Sequence, residues 1–308
     1  MVLRIAYRSA AAGNDKPRPP YFSKGLALES LLRAVERLPE PPVLTFYNDG
    51  ELPEPHVAVM REHGTVRPVK GGSNRRSFRA TVAAEAAAAR PDDLVWFAED
   101  DYLYLPEAFA TLCEAAATLP DADYFAMFGS AAIAPSTGRT PARRAGLGSD
   151  GDPSAVPAGA ALWYRGFATT STFGVRGRVL RADARLLRTY PFTGGAWDTA
   201  TCLAYQGYRP FGAGGLLPGD GAPLPRALVR AAIRSVADLR ALRRPANRRV
   251  LVASDPEMVW HMEAFDGTTR SGLSARTLAV DHAAIAAETV EWSAGRGRTE
   301  LVDDVPAR

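Results

Sequence analysis

The amino-acid sequence predicts an α/β fold in which a mixed, mostly parallel sheet is flanked by helices in one domain with a C-terminal helical extension. Strand-length apolar runs alternate with helical patterns over residues 3–128, as is typical of parallel strands joined by crossover helices. Residues 94–98 are a continuous apolar run, Leu-Val-Trp-Phe-Ala, which indicates a strand buried on both faces. This run ends in three consecutive acids, Glu99, Asp100 and Asp101. Because open α/β sheets bind ligands at the carboxyl ends of their strands, these acids predict a binding site.

The first half of the chain supplies most of the predicted sheet. Ser23 caps the first predicted helix, whose apolar positions form one stripe, and Pro106 opens the last helix of this half. The helix before the acidic run is rich in alanine. In chain order, we predict strands at 3–7, 43–47, 65–69, 94–98 and 124–128, and helices at 23–38, 56–62, 77–89 and 106–119.

The second half is less regular. Residues 130–160 are rich in Gly, Pro, Ser and Ala and contain Arg139, Arg143 and Arg144, which predicts a long mobile loop. Residues 170–175 and 179–180 are strand-like, and a helix over 199–206 stops at Gly207. Further helical patterns cover 226–244 and the end of the chain, with an apolar stretch at 250–253 between them.

The composition narrows the class of protein. With 308 residues, 46% hydrophobic and 23% charged, the chain resembles an ordinary soluble globular protein. A net charge of +3 is too small to indicate nucleic acid binding. The two cysteines, Cys113 and Cys202, have no metal-ligand spacing and suggest a reducing compartment. We see no signal peptide and no membrane-spanning run. We therefore expect a cytoplasmic protein, with peripheral contact to the inner face of the membrane left open.

Polar motifs follow several of the predicted strands. Three adjacent carboxylates repel one another unless a cation neutralises them, which favours a metal-bound phosphate site; the alternative is a solvated acidic turn. Asp49 lies in Asn-Asp-Gly, a common turn sequence. The loop from Gly71 to Arg76 contains Asn74 and could direct amides and arginines towards phosphates at a helix start, or it could be a solvated loop.

Taken in order, these motifs resemble those of GT-A glycosyltransferases, which have a Rossmann-like fold, and most closely the large inverting family that includes bacterial cellulose and polysaccharide synthases. The resemblance covers most of residues 1–210 in layout, and only short motifs carry it. It implies that Asp101 binds the metal, that Glu99 lies near the ribose or a metal-bound water, and that Asp100 faces the donor sugar. Aspartate is more usual than glutamate at the first of these positions. By the same likeness, Asp49 accepts a hydrogen bond from the nucleotide base, and Asn74 and Arg76 bind the nucleotide sugar.

Two later residues complete the implied site. Asp198, in Trp197-Asp198, matches the family's general base, although Glu-Asp is the more common pair; the alternative is a first-turn aspartate favoured by the helix dipole. His261 matches a late histidine that ligates the metal in many GT-A enzymes, although His282 competes for this role. The resemblance thus divides the chain into a nucleotide-sugar-binding and catalytic core, 1–210, and an extension, 211–308, that completes the acceptor and metal site.

The function implied is a metal-dependent glycosyltransferase that uses Mn²⁺ or Mg²⁺. It would move a sugar from a nucleoside-diphosphate donor to the hydroxyl of a glycan, a lipid-linked acceptor or a small molecule. Inversion is the expected outcome, although retaining enzymes share the acidic triplet. The first alternative is a sugar-phosphate nucleotidyltransferase, which usually has a Gly-rich loop after the first strand; here residues 8–16 contain one glycine. The second is an inactive nucleotide- or carbohydrate-binding protein. The basic helix 226–244 would contact an anionic acceptor, a membrane surface or only solvent.

Overall fold

The computed structural model describes residues 1–13, 16–134, 138, 140–144, 147–212, 215–216, 224–263 and 273–302. Within these residues the chain forms a nine-stranded mixed sheet with helices packed on it, which confirms the predicted fold class. The strands, in chain order, are β1 (Leu3–Ala10), β2 (Val43–Asp49), β3 (Thr65–Val69), β4 (Leu94–Glu99), β5 (Tyr102–Tyr104), β6 (Tyr124–Ala126), β7 (Ile133–Ala134), β8 (Ala142–Arg143), β9 (Val156–Ala158), β10 (Ala161–Arg165), β11 (Phe173–Arg176), β12 (Leu251–Asp255) and β13 (Val259–His261).

Nine α-helices lie in the described residues; those predicted with bounds begin and end within about three residues of them, and one, over residues 177–189, was not predicted. They are α1 (Lys24–Glu36), α2 (Glu54–His63), α3 (Asn74–Ala88), α4 (Ala108–Thr118), α5 (Gly177–Thr189), α6 (Trp197–Tyr205), α7 (Leu224–Leu242), α8 (Ala275–Leu278) and α9 (His282–Ala294). No helix in the described ranges is long and apolar enough to cross a membrane.

The main sheet has the strand order β3-β2-β1-β4-β11-β6-β12-β10-β9. Strands β1 to β4 pair in parallel, as do β6 and β12, whereas β11 runs antiparallel to both of its neighbours. The register pairs Arg8 with Glu99 and Ala10 with Asp49. The carboxyl ends of β1, β2 and β4 therefore meet at one edge of the sheet.

Strand β4 is buried on both faces, as its unbroken apolar sequence predicts. Trp96 belongs to the core under α1 and α4, and Phe97 belongs to the core under α3, α5 and α6; both are fully buried. The Trp96 indole N–H donates to the Tyr104 hydroxyl at 3.0 Å, so its polar atom is satisfied. These two cores fix β4 and hence the start of the acidic run.

Some of the predicted elements differ from the structure. Residues 179–180, predicted as a strand, lie in α5, where Val179, Leu180, Leu186 and Leu187 form one buried stripe. Helix α3 begins at Asn74, three residues before the predicted start, because the Ser73 side chain caps it by accepting from the Arg76 N–H.

The later part of the chain also differs in detail. Part of the predicted loop 130–160 lies outside the described residues, including Arg139, while its described parts include β7, β8 and β9. The stretch 250–253 becomes β12, between β6 and β10 in the main sheet. Residues beyond 210 thus contribute a strand to the same sheet as the acidic run.

Candidate active site

A cleft of about 510 Å³ opens at the edge where β1, β2 and β4 end. Residues 8–13, which close β1 and begin its loop, form one wall, and the end of β2 and the start of α3 form another. The acidic run Glu99, Asp100 and Asp101 lines the same cleft. The structure thus brings together the motifs that the sequence singled out after separate strands.

Glu99 is held by side chains from two other parts of the chain. The Arg8 guanidinium donates to Glu99 Oε1 at 2.5 Å and to Asn74 Oδ1 at 2.8 Å. The hydroxyls of Ser171 and Thr172 donate to Glu99 Oε2 at 2.7 and 3.3 Å. Both carboxylate oxygens are therefore engaged within the protein. Glu99 joins β4 to β1 and to the residues before β11, and Arg8 extends this link to α3.

Asp100 turns back towards the end of β1. Its Oδ2 accepts from the Ala10 N–H at 3.0 Å and lies 3.0 Å from Lys24 Nζ. Burial raises the pKa of Asp100, and the charge of Lys24 opposes that rise. Lys24 also donates to the carbonyls of Ala10 and Ala12, so it ties the loop after β1 to the acidic run.

Asp101 meets a cation and the late histidine. Its Oδ2 accepts from Arg18 Nη2 at 3.1 Å and lies 3.0 Å from His261 Nε2. Burial alone would raise the pKa of Asp101, but hydrogen bonds and charges from His261 and Arg18 outweigh it and lower the pKa to about 2. Asp101 is therefore a carboxylate at neutral pH.

The small sheet β5–β13 explains why a residue so late in the chain lies here. It pairs His261 with Tyr102, and the two rings stack with centroids 4.5 Å apart. His282, the competing histidine, instead begins α9 and stacks on Trp260 at 3.9 Å. Of the two histidines, His261 is thus the one placed beside the acidic run.

Each acid of the run has its own cationic side chain: Arg8 for Glu99, Lys24 for Asp100 and Arg18 for Asp101. Arg8 lies near the carboxyl end of β1, Arg18 in the loop after it and Lys24 at the start of α1, and the sequence motifs did not reveal these three cations. A basic residue at the carboxyl end of β1 is the only sequence signal that could have pointed to the first. The mutual repulsion of the acids is therefore largely offset inside the protein.

This pairing bears on the predicted metal ligands. His261 Nε2 also lies 3.2 Å from Glu263 Oε1, so two carboxylates and an imidazole gather near one point. However, Arg18 and Lys16 bind those carboxylates, and no group of three His, Cys, Asp or Glu in the described part of the chain could hold a metal ion. As they lie, these residues do not fit a divalent cation, and the metal role of Asp101 and His261 stays a prediction.

Asp49 holds the loop that precedes α3. Its Oδ1 accepts from the N–H groups of Gly71 and Gly72, both at 3.0 Å. Gly71 cannot gain a side chain without a shift, because an added Cβ would lie 2.5 Å from Asp49 Oδ2. The predicted contact between Asp49 and a nucleotide base stays a prediction beside this observed role in the loop.

The start of α3 borders the cleft. Asn74 is the first residue of the helix and lines the cleft through its position beside Arg8. The Arg76 side chain is exposed and is not among the described residues that line the cleft. Of the two predicted nucleotide-binding residues of this loop, Asn74 is thus the one at the cleft.

Asp198 lies in the first turn of α6, close to Glu99. It borders a small cavity together with Ser171, the residue that donates to Glu99. Its Oδ1 is buried and has no hydrogen-bond partner among the described residues. Burial, and secondarily the negative charge of Glu99, raise the pKa of Asp198 to about 7. A carboxyl group with this pKa can accept a proton near neutral pH.

Trp197 fixes the start of α6. Its ring packs against Phe78 of α3 with centroids 5.1 Å apart and is largely buried. The preceding Gly194 and Gly195 both have positive φ, 69° and 59°, a conformation that favours glycine. The tryptophan that departs from the more common Glu-Asp pair is therefore a packing residue that positions Asp198.

Comparisons with known proteins find likenesses of structure only. No protein-family model and no curated protein sequence matches the chain. Among solved structures, 4-diphosphocytidyl-2C-methyl-D-erythritol synthase is 19% identical with a TM-score of 0.38, covering 74% of this chain and 96% of that one. CMP:2-keto-3-deoxy-manno-octonic acid synthetase, complexed with CTP, is 12% identical with a TM-score of 0.39, covering 65% and 82%.

Another similar structure is glucosyl-3-phosphoglycerate synthase from Mycobacterium tuberculosis in complex with Mn²⁺, uridine diphosphate and phosphoglyceric acid. It is 12% identical with a TM-score of 0.27, and the match covers 40% of this chain and 42% of that one. At these identities and TM-scores, none of the likenesses establishes a family or a reaction for this chain.

Proposed function

We propose that this chain is a glycosyltransferase that moves a sugar from a nucleoside-diphosphate donor to an acceptor hydroxyl, with inversion and with Asp198 as general base. The observation that carries this proposal is the state of Asp198. Its buried Oδ1 has no hydrogen-bond partner among the described residues, and its pKa is raised to about 7. It borders a small cavity with Ser171, which donates to Glu99 of the cleft. A base is most effective when its pKa lies near the working pH.

The proposed reaction exchanges one bond for another. The acceptor hydroxyl gives its proton to Asp198, and its oxygen forms a bond to the anomeric carbon of the donor sugar. The bond from that carbon to the diphosphate oxygen breaks, and the nucleoside diphosphate leaves with the bonding electrons. Asp198 then returns its proton to water.

The cations of the cleft suit the leaving group. Arg18 and Lys24 line the cleft, and a diphosphate brings negative charge that would compete with Asp101 and Asp100 for them. Asp49, Asn74, Arg76, Glu99 and Asp100 are the proposed nucleotide-sugar-binding residues. Among them Glu99 acts through its bonds to Arg8 and Ser171, which hold the cleft in shape.

The experiment measures release of nucleoside diphosphate from a panel of nucleotide sugars, with and without acceptor hydroxyl compounds. Wild type should release it, and Asp198→Asn should lose at least about 100-fold of the rate, because general bases contribute roughly that factor or more. The matched control is Asp121→Asn, a surface aspartate that should leave the rate unchanged. Full activity of Asp198→Asn would remove the proposed base.

A nucleotidyltransferase is the second candidate, and one observation favours it. Residues 11–13, directly after β1, line the cleft beside Lys24, in the place where that class carries its phosphate-binding loop. Pyrophosphate release from a nucleoside triphosphate and a sugar phosphate, in the absence of sugar transfer, would select this alternative. Tight nucleotide binding without either reaction would select the inactive binding protein, and a thermal shift detects it, since a ligand at about 100 times its Kd adds roughly 2.7 kcal/mol.

A further inference from the structure

Helix α7 presents its apolar side chains to solvent. Five large apolar residues along it are between 41% and 61% exposed. At 3.6 residues per turn they fall within a sector of roughly 140° on the helix surface. The five are Leu228, Val229, Val236, Leu239 and Leu242.

The opposite side of α7 is buried and holds two charged residues, Arg234 and Asp238, beside two small apolar ones, Ala237 and Ala241. Arg234 donates to the carbonyl of Thr193 at 3.0 Å, and Asp238 accepts from Arg209 at 2.6 Å and from the Phe211 N–H at 3.0 Å. A helix on the surface of a soluble protein normally has the reverse arrangement. Burial among the described residues therefore does not account for the large apolar side chains of α7.

The surroundings of this apolar face are positively charged. Helix α5, beside α7, exposes four arginines at positions 178, 181, 185 and 188, and Arg240 and Arg243 are exposed at the end of α7. The only acids in the two helices are Asp183 and Asp238, and both are buried. Arg248 and Arg249 bind Asp183, so its charge does not offset that of the exposed arginines.

A groove of about 560 Å³ lies between the two helices. Its lining combines apolar side chains, among them Leu186, Ile233 and Val236, with the arginines Arg185 and Arg240 and the buried Asp183. An apolar lining with exposed arginines suits a molecule that has both a hydrocarbon part and a negative head.

Helix α7 is also joined to the segment that carries Asp198. The short 3₁₀ helix Tyr190–Thr193 leads through Gly194 and Gly195 into α6. Arg234 of α7 binds the Thr193 carbonyl. A partner that binds α7 would therefore lie close to the start of α6, where Asp198 is.

We propose that α7 and the exposed face of α5 form a docking surface for an anionic lipid membrane. The apolar side chains of α7 would enter the boundary between headgroups and acyl chains, and the arginines would lie among the anionic headgroups. A second copy of the chain is a poorer occupant, because two such surfaces carry like charge and repel. The further step, that docking presents a lipid-linked acceptor to Asp198, rests on the proposed function.

The test is sedimentation of the full chain with vesicles of phosphatidylcholine containing about 30% phosphatidylglycerol, compared with pure phosphatidylcholine. We expect binding to the anionic vesicles that falls at least tenfold when NaCl rises from about 0.1 M to about 0.5 M. The double variant Leu228→Glu/Leu239→Glu should also lose at least about tenfold. The matched control is Leu278→Glu, at an exposed leucine of α8, which should bind like wild type.

Two further variants keep the result interpretable. Arg240→Gln/Arg243→Gln retains the apolar face and should lose binding to the anionic vesicles, and a circular dichroism melt shows that each variant is folded. Asp198→Asn should bind vesicles like wild type, so failure of the proposed chemistry leaves this test unaffected. Equal binding by wild type and Leu228→Glu/Leu239→Glu, or a concentration-dependent dimer that this double variant abolishes, would overturn the proposal.

Discussion

Replacement of Asp198 by asparagine is expected to raise stability while it removes activity. The asparagine has nearly the same shape and cannot ionise. The wild-type carboxyl, whose pKa is raised from 3.8 to about 7 chiefly by burial, is charged above that pH in a place that disfavours charge. The variant is therefore free of the energetic cost of a buried charge. It also lacks the group that is proposed to accept the proton of the acceptor hydroxyl.

The size and the sign of this stability change follow from the pKa of Asp198. A rise from 3.8 to about 7 corresponds to about 4 kcal/mol, since each pKa unit is about 1.4 kcal/mol. Because Asp198 is partly exposed, solvent screening reduces this, and we expect about 2 kcal/mol. A raised pKa gives stability that is fully present below the unfolded value and is lost as the pH rises towards 7. The gain from asparagine should thus be near zero at about pH 4 and complete above about pH 7.

The assay is a series of thermal melts of both proteins between about pH 4 and pH 8. At the upper end, Asp198→Asn should melt about 4 °C higher than wild type. The control is Asp183→Asn, at a buried aspartate bound by Arg248 and Arg249, which should lower stability by about 2 kcal/mol because two half-buried arginines lose hydrogen bonds to a charged acceptor. In parallel, kcat/KM of wild type should rise with pH and level off above about pH 7. An asparagine variant that is less stable than wild type at pH 8 would falsify the inference that Asp198 is a desolvated base.

Other expectations concern the rest of the cleft. Arg8→Met leaves Glu99 without its cation and should lower the free energy of unfolding in urea by about 3 kcal/mol; an unchanged value would show that Glu99 is not held as described. Gly71→Ala places a Cβ 2.5 Å from Asp49 Oδ2 and should abolish the thermal shift caused by nucleotide. A thermal shift as large as that of wild type would show that this loop does not take part in nucleotide binding. For the metal, the sequence predicts that EDTA stops the transfer reaction and that Mn²⁺ restores it in wild type but not in Asp101→Asn. Activity that survives EDTA would show that the protein's own cations, and not a metal ion, neutralise the charge of the diphosphate.

The sequence predicted secondary structure best where all side chains of a segment have the same environment. Strand β4 is buried on both faces, so its apolar run indicates a strand without ambiguity. Residues 179 and 180 illustrate the opposite case, because two apolar residues between arginines fit a strand as well as a helix. Only the later pair, Leu186 and Leu187, completes the helical stripe that packs α5 on the sheet.

The acidic residues of the site could be predicted from the sequence, but the cations that pair with them could not. Glu99, Asp100, Asp101 and Asp198 follow strands or begin helices, which local patterns reveal. The partner of Glu99 is Arg8, 91 residues earlier, and it is set by the register of β1 on β4. Such a contact depends on tertiary packing, so no local pattern in the sequence contains it.

The charges around the cleft distinguish the acids from one another in a way that their sequence does not. Each member of the acidic run has a cation within 3.1 Å, so before any ligand binds the run is already compensated. Asp198 has no such partner for its buried Oδ1 among the described residues, and its pKa is raised first by burial and then by the negative charge of Glu99. In the proposed reaction, a donor diphosphate would compete with Asp100 and Asp101 for Lys24 and Arg18. Asp198 would instead accept the proton of the acceptor hydroxyl, which supplies the hydrogen bond that its buried oxygen lacks among the described residues.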